Sequence, residues 1–231
     1  MTTTVATTNL QAHMALWKVA RSVRKVKRKA HPDLWDFQEI GGLHKWALIR
    51  TTLGVRYAGH RFPGEGSATP IAWHRRRYRR RHFIVWHLSD PTDVGASGAG
   101  PRVLRGKNAV GVVLDDRRTG KTVVIVNAHL APSPWLNSAR DHLHSEQVTN
   151  LSLLVDFTKK HYPGADLFFA GDWNTTQRNR FTLLEHSGLI LGPDVPTHGA
   201  HALDRIASTL PRKDACTIPN DSDHDALIGR Y

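Results

Sequence analysis

The residues best suited to chemistry follow a short apolar run in the C-terminal third of the chain. Residues 167–170 read Leu-Phe-Phe-Ala, which predicts a buried strand, and Gly171 ends the run. If the backbone stays extended, Asp172 and Asn174 share one side of it and Trp173 faces the other. A carboxylate beside a carboxamide can activate a water molecule and donate to an oxyanion. Glycine, aspartate and asparagine are also common turn residues, so a plain turn is the alternative.

Polar side chains end other strand-like segments in the same way. Each has an ordinary alternative, with Glu39 as a solvent-facing strand position and His129 as a partly buried histidine bound to the backbone. Together they supply carboxylates, imidazoles and amides at strand ends, which are the groups that a cation-assisted phosphate site requires. The full set comprises Asn9, Glu39, His129, Asp172, Asn174, Asp204, Asp223 and His224.

Strand and helix patterns alternate along the chain and position these residues. Apolar or β-branched runs predict strands, and apolar residues at helical spacing predict helices. Residues 91–101 are rich in Gly, Ala and Ser and predict a mobile loop rather than a boundary, so residues 1–231 are expected to form a single domain. Predicted strands cover residues 4–10, 34–40, 68–73, 83–88, 109–115, 122–130, 167–170 and 202–207, and predicted helices cover 11–30, 43–53, 142–161 and 181–188.

The charge balance points to a polyanionic partner. The 231 residues carry a net charge of +12, so nucleic acid is expected first and an anionic membrane surface second. Residues 74–82 form the densest charge run, in which six arginines surround a tyrosine. This run suits a phosphate backbone with an aromatic ring for stacking, although a basic hairpin that binds nothing is the alternative. The candidate nucleic-acid-binding residues are Arg75, Arg76, Arg77, Tyr78, Arg79, Arg80 and Arg81.

Several classes of protein are disfavoured. The single cysteine, Cys216, excludes an intrachain disulfide and any zinc site built from several cysteines. No apolar run is long enough to span a bilayer, and the N-terminus lacks the basic and apolar regions of a signal peptide. An intracellular, cytoplasmic protein that is monomeric and does not associate with membranes is therefore expected.

Six motifs in sequence order resemble those of the endonuclease/exonuclease/phosphatase superfamily, which includes the DNase I-like enzymes. Any one of them occurs by chance, but Gly-Asp-x-Asn and Ser-Asp-His in the expected order are specific. The resemblance covers nearly the whole chain. The matching segments are Thr8-Asn9, Phe37-Gln38-Glu39-Ile40, Asn127-Ala128-His129-Leu130, Gly171-Asp172-Trp173-Asn174, Leu203-Asp204-Arg205-Ile206 and Ser222-Asp223-His224.

The resemblance implies a fold and a metal. The fold is an α/β four-layered sandwich, in which two mixed β-sheets are flanked by helices. The implied reaction is hydrolysis of a phosphoester with Mg²⁺ (or Mn²⁺) as the cofactor. Glu39 is then the main metal ligand, with Asn9 and Asp223 near the ion directly or through water.

The resemblance also implies catalytic roles. Asp172 orients or deprotonates the attacking water, and Asn174 donates to the phosphoryl oxygen. His224 binds the phosphate and is held and kept charged by Asp204. His129 lies near the leaving group as a general acid.

Two positions depart from the pattern of the superfamily's abasic-site nucleases. Gln11 stands where they carry an acidic residue, so a second metal contact at this position would lack its carboxylate. Asn127-Ala128-His129 stands where they carry a tyrosine, which argues against close kinship with them.

Three functions are compatible with these residues. The positive charge favours a metal-dependent nuclease, acting on DNA before RNA. A phosphatase or phosphodiesterase for a smaller phosphoester (an inositol phosphate, a phospholipid head group or a nucleotide) would use the same motifs, but a neutral or acidic surface would suit it better. A non-catalytic nucleic-acid-binding module is disfavoured, because paired acids at strand ends are costly to keep without a use.

Overall fold

Two six-stranded sheets form the body of the protein. The computed structural model describes residues 2–95, 103–132 and 134–231. The strands of the first sheet are β1 (Thr4–Asn9), β2 (Leu34–Gln38), β3 (Tyr57–His60), β4 (Ile71–His74), β13 (Asp214–Ile218) and β14 (Ala226–Arg230). Their order across the sheet is β13-β14-β1-β2-β4-β3, and β1 and β2 run parallel.

The second sheet is built from strands in the middle and the C-terminal part of the chain. Its strands are β5 (Tyr78–Ser89), β8 (Lys107–Asp116), β9 (Thr122–Asn127), β10 (Asp166–Asp172), β11 (Ile190–Leu191) and β12 (Asp204–Ser208). Their order is β11-β12-β10-β9-β8-β5, with β9 and β10 parallel. A separate two-stranded ribbon pairs β6 (Thr92–Asp93) with β7 (Val103–Leu104).

Helices cover the outer face of each sheet. The helices α1 (Leu16–Ala30) and α2 (Leu43–Leu53) pack on the first sheet, and α3 (Ser138–His161) and α4 (Thr182–His186) pack on the second. Two short 3₁₀ turns span Gly64–Ala68 and Arg178–Phe181. Within the described parts of the chain, no helix combines the length and the apolar character needed to cross a membrane.

The alternation of side chains along β10 shows why the sheets and helices stack in four layers. Phe168 and Ala170 lie in the core between the two sheets, while Leu167 and Phe169 pack with the residues of α3. A strand that is apolar on both faces must be covered on both, because each face otherwise stays exposed to water. The expected α/β sandwich of two mixed sheets flanked by helices is confirmed.

The strand registers bring the chemical residues to one edge of the sandwich. Asn9 of β1 pairs with Gln38 of β2, and β10 ends where Asp172 pairs with Asp204 of β12. Since β1, β2, β9 and β10 all end here, while β12 and β14 begin here, the polar residues that flank these strands meet.

Some predicted boundaries were wrong for local reasons. The first helix begins at Leu16 and not at residue 11, because Gln11 has a left-handed φ of 41°. The third helix begins four residues before the predicted 142, where the Asn137 side chain accepts a hydrogen bond from the Arg140 amide at 2.9 Å. The strand predicted over 83–88 extends back to Tyr78. Of the predicted mobile loop 91–101, residues 96–101 lie outside the described residues.

Asp36 is an unusual residue in the core between the sheets. Its neighbours Trp35 and Phe37 face the helices, so Asp36 faces the other sheet, fully buried. Neither of its carboxylate oxygens has a hydrogen-bond partner among the described residues. Burial therefore raises the pKa of the Asp36 carboxyl well above its usual range, and the folded state holds this group in its neutral form.

We expect Asp36→Val to stabilise the protein by about 1–3 kcal/mol at pH 7, because it removes a buried polar group without partners. The folded state retains a proton that the unfolded chain releases, so wild-type stability should fall as the pH rises above about 4. Urea unfolding between pH 4 and pH 8 measures both effects. Asp36→Asn is the matched control, which should lose the part of the pH dependence that Asp36 contributes and keep the polar burial. A less stable Asp36→Val protein would contradict this account.

Candidate functional site

One amide joins the two sheets at the centre of the site. The Asn9 side chain, fully buried at the end of β1, donates through Nδ2 to Glu39 Oε1 at 2.9 Å and to Asp172 Oδ2 at 3.0 Å. Glu39 follows a strand of the first sheet and Asp172 ends a strand of the second. The structure thus brings together one carboxylate from each sheet, as the motif order predicts.

Backbone strain is concentrated at the same place. Four non-glycine residues of the described chain have positive φ, and three of them belong to this site. Such conformations cost free energy and persist where the surrounding structure imposes them, often at functional sites. The three residues are Gln11 (φ 41°), Glu39 (φ 59°) and Asn174 (φ 54°).

The backbone after β10 is a turn and not the extended segment considered above. Asp172 is the last strand residue, and its Oδ1 accepts a hydrogen bond from the Asn174 amide at 3.0 Å. Asn174 is positioned further by its Nδ2, which donates to the Leu130 carbonyl at 3.0 Å. Trp173, between Asp172 and Asn174, is fully buried. The turn given as the alternative is therefore present, and Asp172 and Asn174 meet within it at the end of β10.

Gly171 makes this turn sterically possible. Its φ is 141°, and a Cβ placed on it would lie 1.9 Å from the Ala128 carbonyl oxygen. Ala128 follows β9, the parallel neighbour of β10, so the close approach of the two strand ends sets the position of Asp172. Any side chain at residue 171 would push these ends apart.

His224 and Asp204 form an ion pair beside Asp172. The His224 Nδ1 and Asp204 Oδ2 atoms are 2.7 Å apart, and His224 Nε2 lies 3.9 Å from Asp172 Oδ2. Burial lowers the pKa of His224, but the hydrogen bond and charge of Asp204, with the charges of Asp172 and Asp223, outweigh it and raise that pKa to about 9. The imidazole is therefore cationic at neutral pH and faces the site through Nε2.

The pKa shifts of Asp172 and His129 favour the neutral form of each group, whereas the shift of His224 favours its charged form. Burial and the Asp204 charge raise the pKa of Asp172, and hydrogen bonds to its carboxylate offset this only in part. Burial also lowers the pKa of His129 well below its usual range, with the Lys107 and His224 charges adding to the effect. The His129 Nε2 atom lies 3.8 Å from Asp172 Oδ2.

The donor atoms fit a divalent cation of the Mg²⁺ type. Ligand atoms of Glu39, His129 and Asp172 lie within 4.8 Å of one another. Two carboxylates that converge on one amide repel each other, and hard oxygen donors of this kind are the preferred ligands of Mg²⁺ and Mn²⁺. A cation between them would also lower the pKa of Asp172 and favour its charged form.

Asp223 lies apart from the Glu39 group. Its carboxylate is 41% exposed, and its Oδ2 accepts a hydrogen bond from Gln11 Nε2 at 3.1 Å. It groups instead with His198 and His224, and the His198 Nδ1 atom lies 3.0 Å from the Asp223 carbonyl oxygen. Gln11 thereby connects Asp223 to Asn9, because the backbone amide of Gln11 donates to Asn9 Oδ1 at 3.0 Å.

Lys45 is a positioning residue that sequence reasoning missed. It is buried, and its Nζ donates to the carbonyls of Leu10 at 2.9 Å and Gln11 at 2.6 Å, with the Glu39 carbonyl at 3.4 Å. Burial lowers the pKa of Lys45 to about 8, opposed by the Glu39 charge. The signal was its spacing, since residue 45 precedes Ile49 and Leu53 on the apolar face of α2.

The arginine run is not uniform, and two of its candidate residues were wrong. Arg77 is buried and binds Asp33 at 2.8 Å and Asp116 at 2.9 Å. Tyr78 is also buried, in the core between the sheets, and cannot stack on a base. Arg77 lies in the turn before β5 and Tyr78 is the first residue of that strand. Arg77 therefore ties three segments of the fold together instead of facing a nucleic acid.

The remaining arginines lie at the far end of the strands. We define the arginine surface by exposed arginines on β5 and the neighbouring turns, and all of them except Arg80 line two cavities of about 600 and 470 Å³. In the sheet, Arg79 of β5 lies opposite Asp115 of β8, and Asp115 lies opposite Thr122 at the start of β9. The candidate site lies beyond the other end of β9. At 3.3 Å per residue along β9, the distance between the arginine surface and the candidate site is about 20 Å. The surface comprises Arg56, Arg75, Arg76, Arg79, Arg80, Arg81 and Arg117.

Comparison with known proteins identifies the fold. No family model matches the sequence, and no curated protein matches it. Among solved structures, an endonuclease/exonuclease/phosphatase from Bacteroides vulgatus is 17% identical, with 100% of this chain and 98% of that one covered at a TM-score of 0.76. The chain therefore has the DNase I-like fold of endonuclease/exonuclease/phosphatase structures, as its motifs predict.

Two further structures show how widely this fold is used. TDP2 from D. rerio, complexed with a single-strand DNA product, is 14% identical, with 99% of this chain and 98% of that one covered at a TM-score of 0.72. A mannosyl-6-phosphatase from Bacteroides thetaiotaomicron is 14% identical, with 98% of both chains covered at a TM-score of 0.73. At these identities the likeness concerns the fold, and function must be argued from the site.

We expect Lys45→Met to weaken Mn²⁺ binding about 10- to 100-fold, because the segment from Leu10 to Gln11 and the Glu39 backbone lose their shared donor. Calorimetric titration with Mn²⁺ measures this. The matched control is Lys27→Met, since the Lys27 Nζ donates to the Thr52 and Leu53 carbonyls away from the site. Both variants should lose stability, but only Lys45→Met should lose metal affinity. Equal Mn²⁺ affinities would contradict the positioning role.

Proposed function

We propose that this protein is a divalent-metal-dependent phosphodiesterase that hydrolyses nucleic acid. The observation that carries the proposal is the Asn9 amide, which brings Glu39 and Asp172 together beside the His224–Asp204 pair. Carboxylates that can hold a cation and activate water, next to a cationic imidazole that can bind a phosphate oxygen, are the groups that phosphoester hydrolysis requires.

Each residue then has a defined task. Glu39 and Asp172 would hold Mg²⁺ or Mn²⁺, with Asn9 fixing the distance between their oxygens. Such an ion neutralises phosphate charge and makes bound water more acidic. Asp172 accepts the proton of the attacking water or orients it, and the charged His224 donates to a phosphate oxygen.

The residues around this core orient it. Asp204 holds His224 through the 2.7 Å hydrogen bond and keeps it protonated. Asn174 presents its side chain beside Asp172 and can donate a second Nδ2 hydrogen to the phosphoryl oxygen. His129 is neutral in this structure, so serving as general acid at the leaving group requires that it first take up a proton.

We expect Glu39→Gln and Asp172→Asn each to lower turnover at least about 100-fold while the fold stays intact, because each removes a metal-facing charge. Nicking of supercoiled plasmid with Mg²⁺ or with chelator measures this. The matched control is Asp214→Asn, an exposed carboxylate on β13 that pairs with Arg230. Full activity in either site variant, or nicking that survives chelation, would overturn the proposal.

The net charge supports nucleic acid as the substrate. With +12 overall, the protein attracts a polyanion, and the arginine surface gives that attraction a place about 20 Å from the site. DNA is the substrate to test first, because the D. rerio TDP2 structure of the same fold is complexed with single-strand DNA. On this proposal the exposed arginines hold a long strand while the catalytic residues cleave it elsewhere.

We expect the triple variant Arg75→Gln, Arg76→Gln and Arg80→Gln to weaken binding of a long oligonucleotide and to reduce its salt dependence. The logarithmic slope should fall by about 0.7–0.9 for each phosphate that the variant no longer neutralises. Turnover of a dinucleotide should not change, because it cannot reach the surface. Fluorescence anisotropy at several salt concentrations measures the slope.

The control for this prediction removes three charges elsewhere. Arg24, Arg28 and Lys29 are exposed on α1, and their glutamine substitution lowers the net charge equally. If both triple variants bind the long strand alike, the effect is one of general charge and the arginine surface has no specific role.

A second candidate is hydrolysis of a smaller phosphoester. The arginine surface lies away from the catalytic residues, so a small substrate could reach the site without it, and the mannosyl-6-phosphatase has the same fold. A panel of sugar phosphates, inositol phosphates and nucleotides separates the two. Turnover of these with no cleavage of DNA or RNA would favour this candidate.

A further inference from the structure

A cavity of about 480 Å³ opens directly beside the catalytic residues. Its walls come from three separate segments, namely the loop before α3, the turn after β10 and the loop before β12. Asn174 and His198 contact the catalytic residues and form what we call the inner wall, and the lining also includes Trp135, Gln177 and His201, which we call the outer wall. None of the three outer residues has a role in the phosphate chemistry described above.

The inner wall connects the cavity to the scissile position. Asn174 lies next to Asp172 through the 3.0 Å hydrogen bond of its backbone amide. The His198 ring lies 4.7 Å from the His224 ring, centre to centre. A group bound in the cavity would therefore contact the neighbours of both residues that face the phosphate. The cavity is placed to hold whatever is attached to that phosphate.

Trp135 gives the outer wall its character. Its side chain is 60% exposed, although exposing so large an apolar surface to water is unfavourable. The segment behind it is fixed, because the adjacent Asn137 caps α3 and donates through Nδ2 to the Val94 carbonyl at 3.0 Å. An exposed indole beside a cavity offers a flat apolar face for a planar ligand.

We propose that this cavity binds a nucleobase next to the cleaved phosphate, with Trp135 as the stacking platform. This inference rests on the proposed nuclease function and identifies the part of the substrate that the site holds. The side chains of Gln177 and His201 can hydrogen-bond the heteroatoms at a base edge. Stacking accepts every base, so recognition here favours a base of any sequence over a sugar or an acyl chain.

Dinucleotides with one base removed test this assignment. We expect Trp135→Ala to lower kcat/KM for an intact dinucleotide about 5- to 150-fold, the effect of one base–aromatic stack. Two further dinucleotides each carry tetrahydrofuran in place of one of the two bases. Trp135→Ala should have no effect on the one that lacks the stacked base. Trp135→Phe should restore most of the rate. The control is Trp17→Ala, a tryptophan on α1 that is 58% exposed and remote from the cavity.

A binding measurement separates this inference from the function on which it rests. In the Asp172→Asn background, a nucleoside monophosphate should bind more tightly than ribose 5-phosphate, and Trp135→Ala should abolish the difference. If binding behaves so but no dinucleotide is cleaved, the nuclease function fails and the base subsite stands. If dinucleotides are cleaved but Trp135→Ala changes neither rate nor binding, the subsite is overturned.

Discussion

The site depends on one hydrogen-bonding group placed between two negative charges. Asn9 belongs to the first sheet. Its side-chain amide donates to Glu39, which follows a strand of the first sheet, and to Asp172, which ends a strand of the second. Behind it, Gln38 Nε2 donates to Asn127 Oδ1 at 2.7 Å, which ties the same two sheets through the core. The separation of Glu39 and Asp172 is therefore set by how the sheets pack, and the apolar core supports the chemistry directly.

The basic charge and the catalytic residues occupy different ends of the same strands. Arg77 illustrates how one sequence run serves two purposes, since it is buried between Asp33 and Asp116 while Arg76 and Arg79 are exposed. Burial divides the run, because Arg77 and Tyr78 are buried whereas the other five arginines are exposed. A charge pattern in sequence thus indicates a polyanionic partner, but the strand register decides where that partner can be held.

Much of the fold could be predicted because its patterns are local. The apolar run 167–170 and the fully apolar β9 specify central strands, and the order of polar residues at strand ends locates the site. The sequence left a turn at Asp172 to Asn174 as an alternative to an extended backbone, because the outcome also depends on how closely Ala128 of a neighbouring segment approaches Gly171. Lys45 and the hydrogen bond from Gln11 to Asp223 were missed because their partners come from distant segments.

The three left-handed residues Gln11, Glu39 and Asn174 also limit how the protein can be made more heat-resistant. Each holds a backbone conformation that costs roughly 1–2 kcal/mol for a residue with a side chain. Glycine would relieve that strain at any of them, yet it would delete the side chain that binds there. Selection for thermal tolerance alone would therefore replace residues of the site first, whereas selection for activity would keep these strained residues in place.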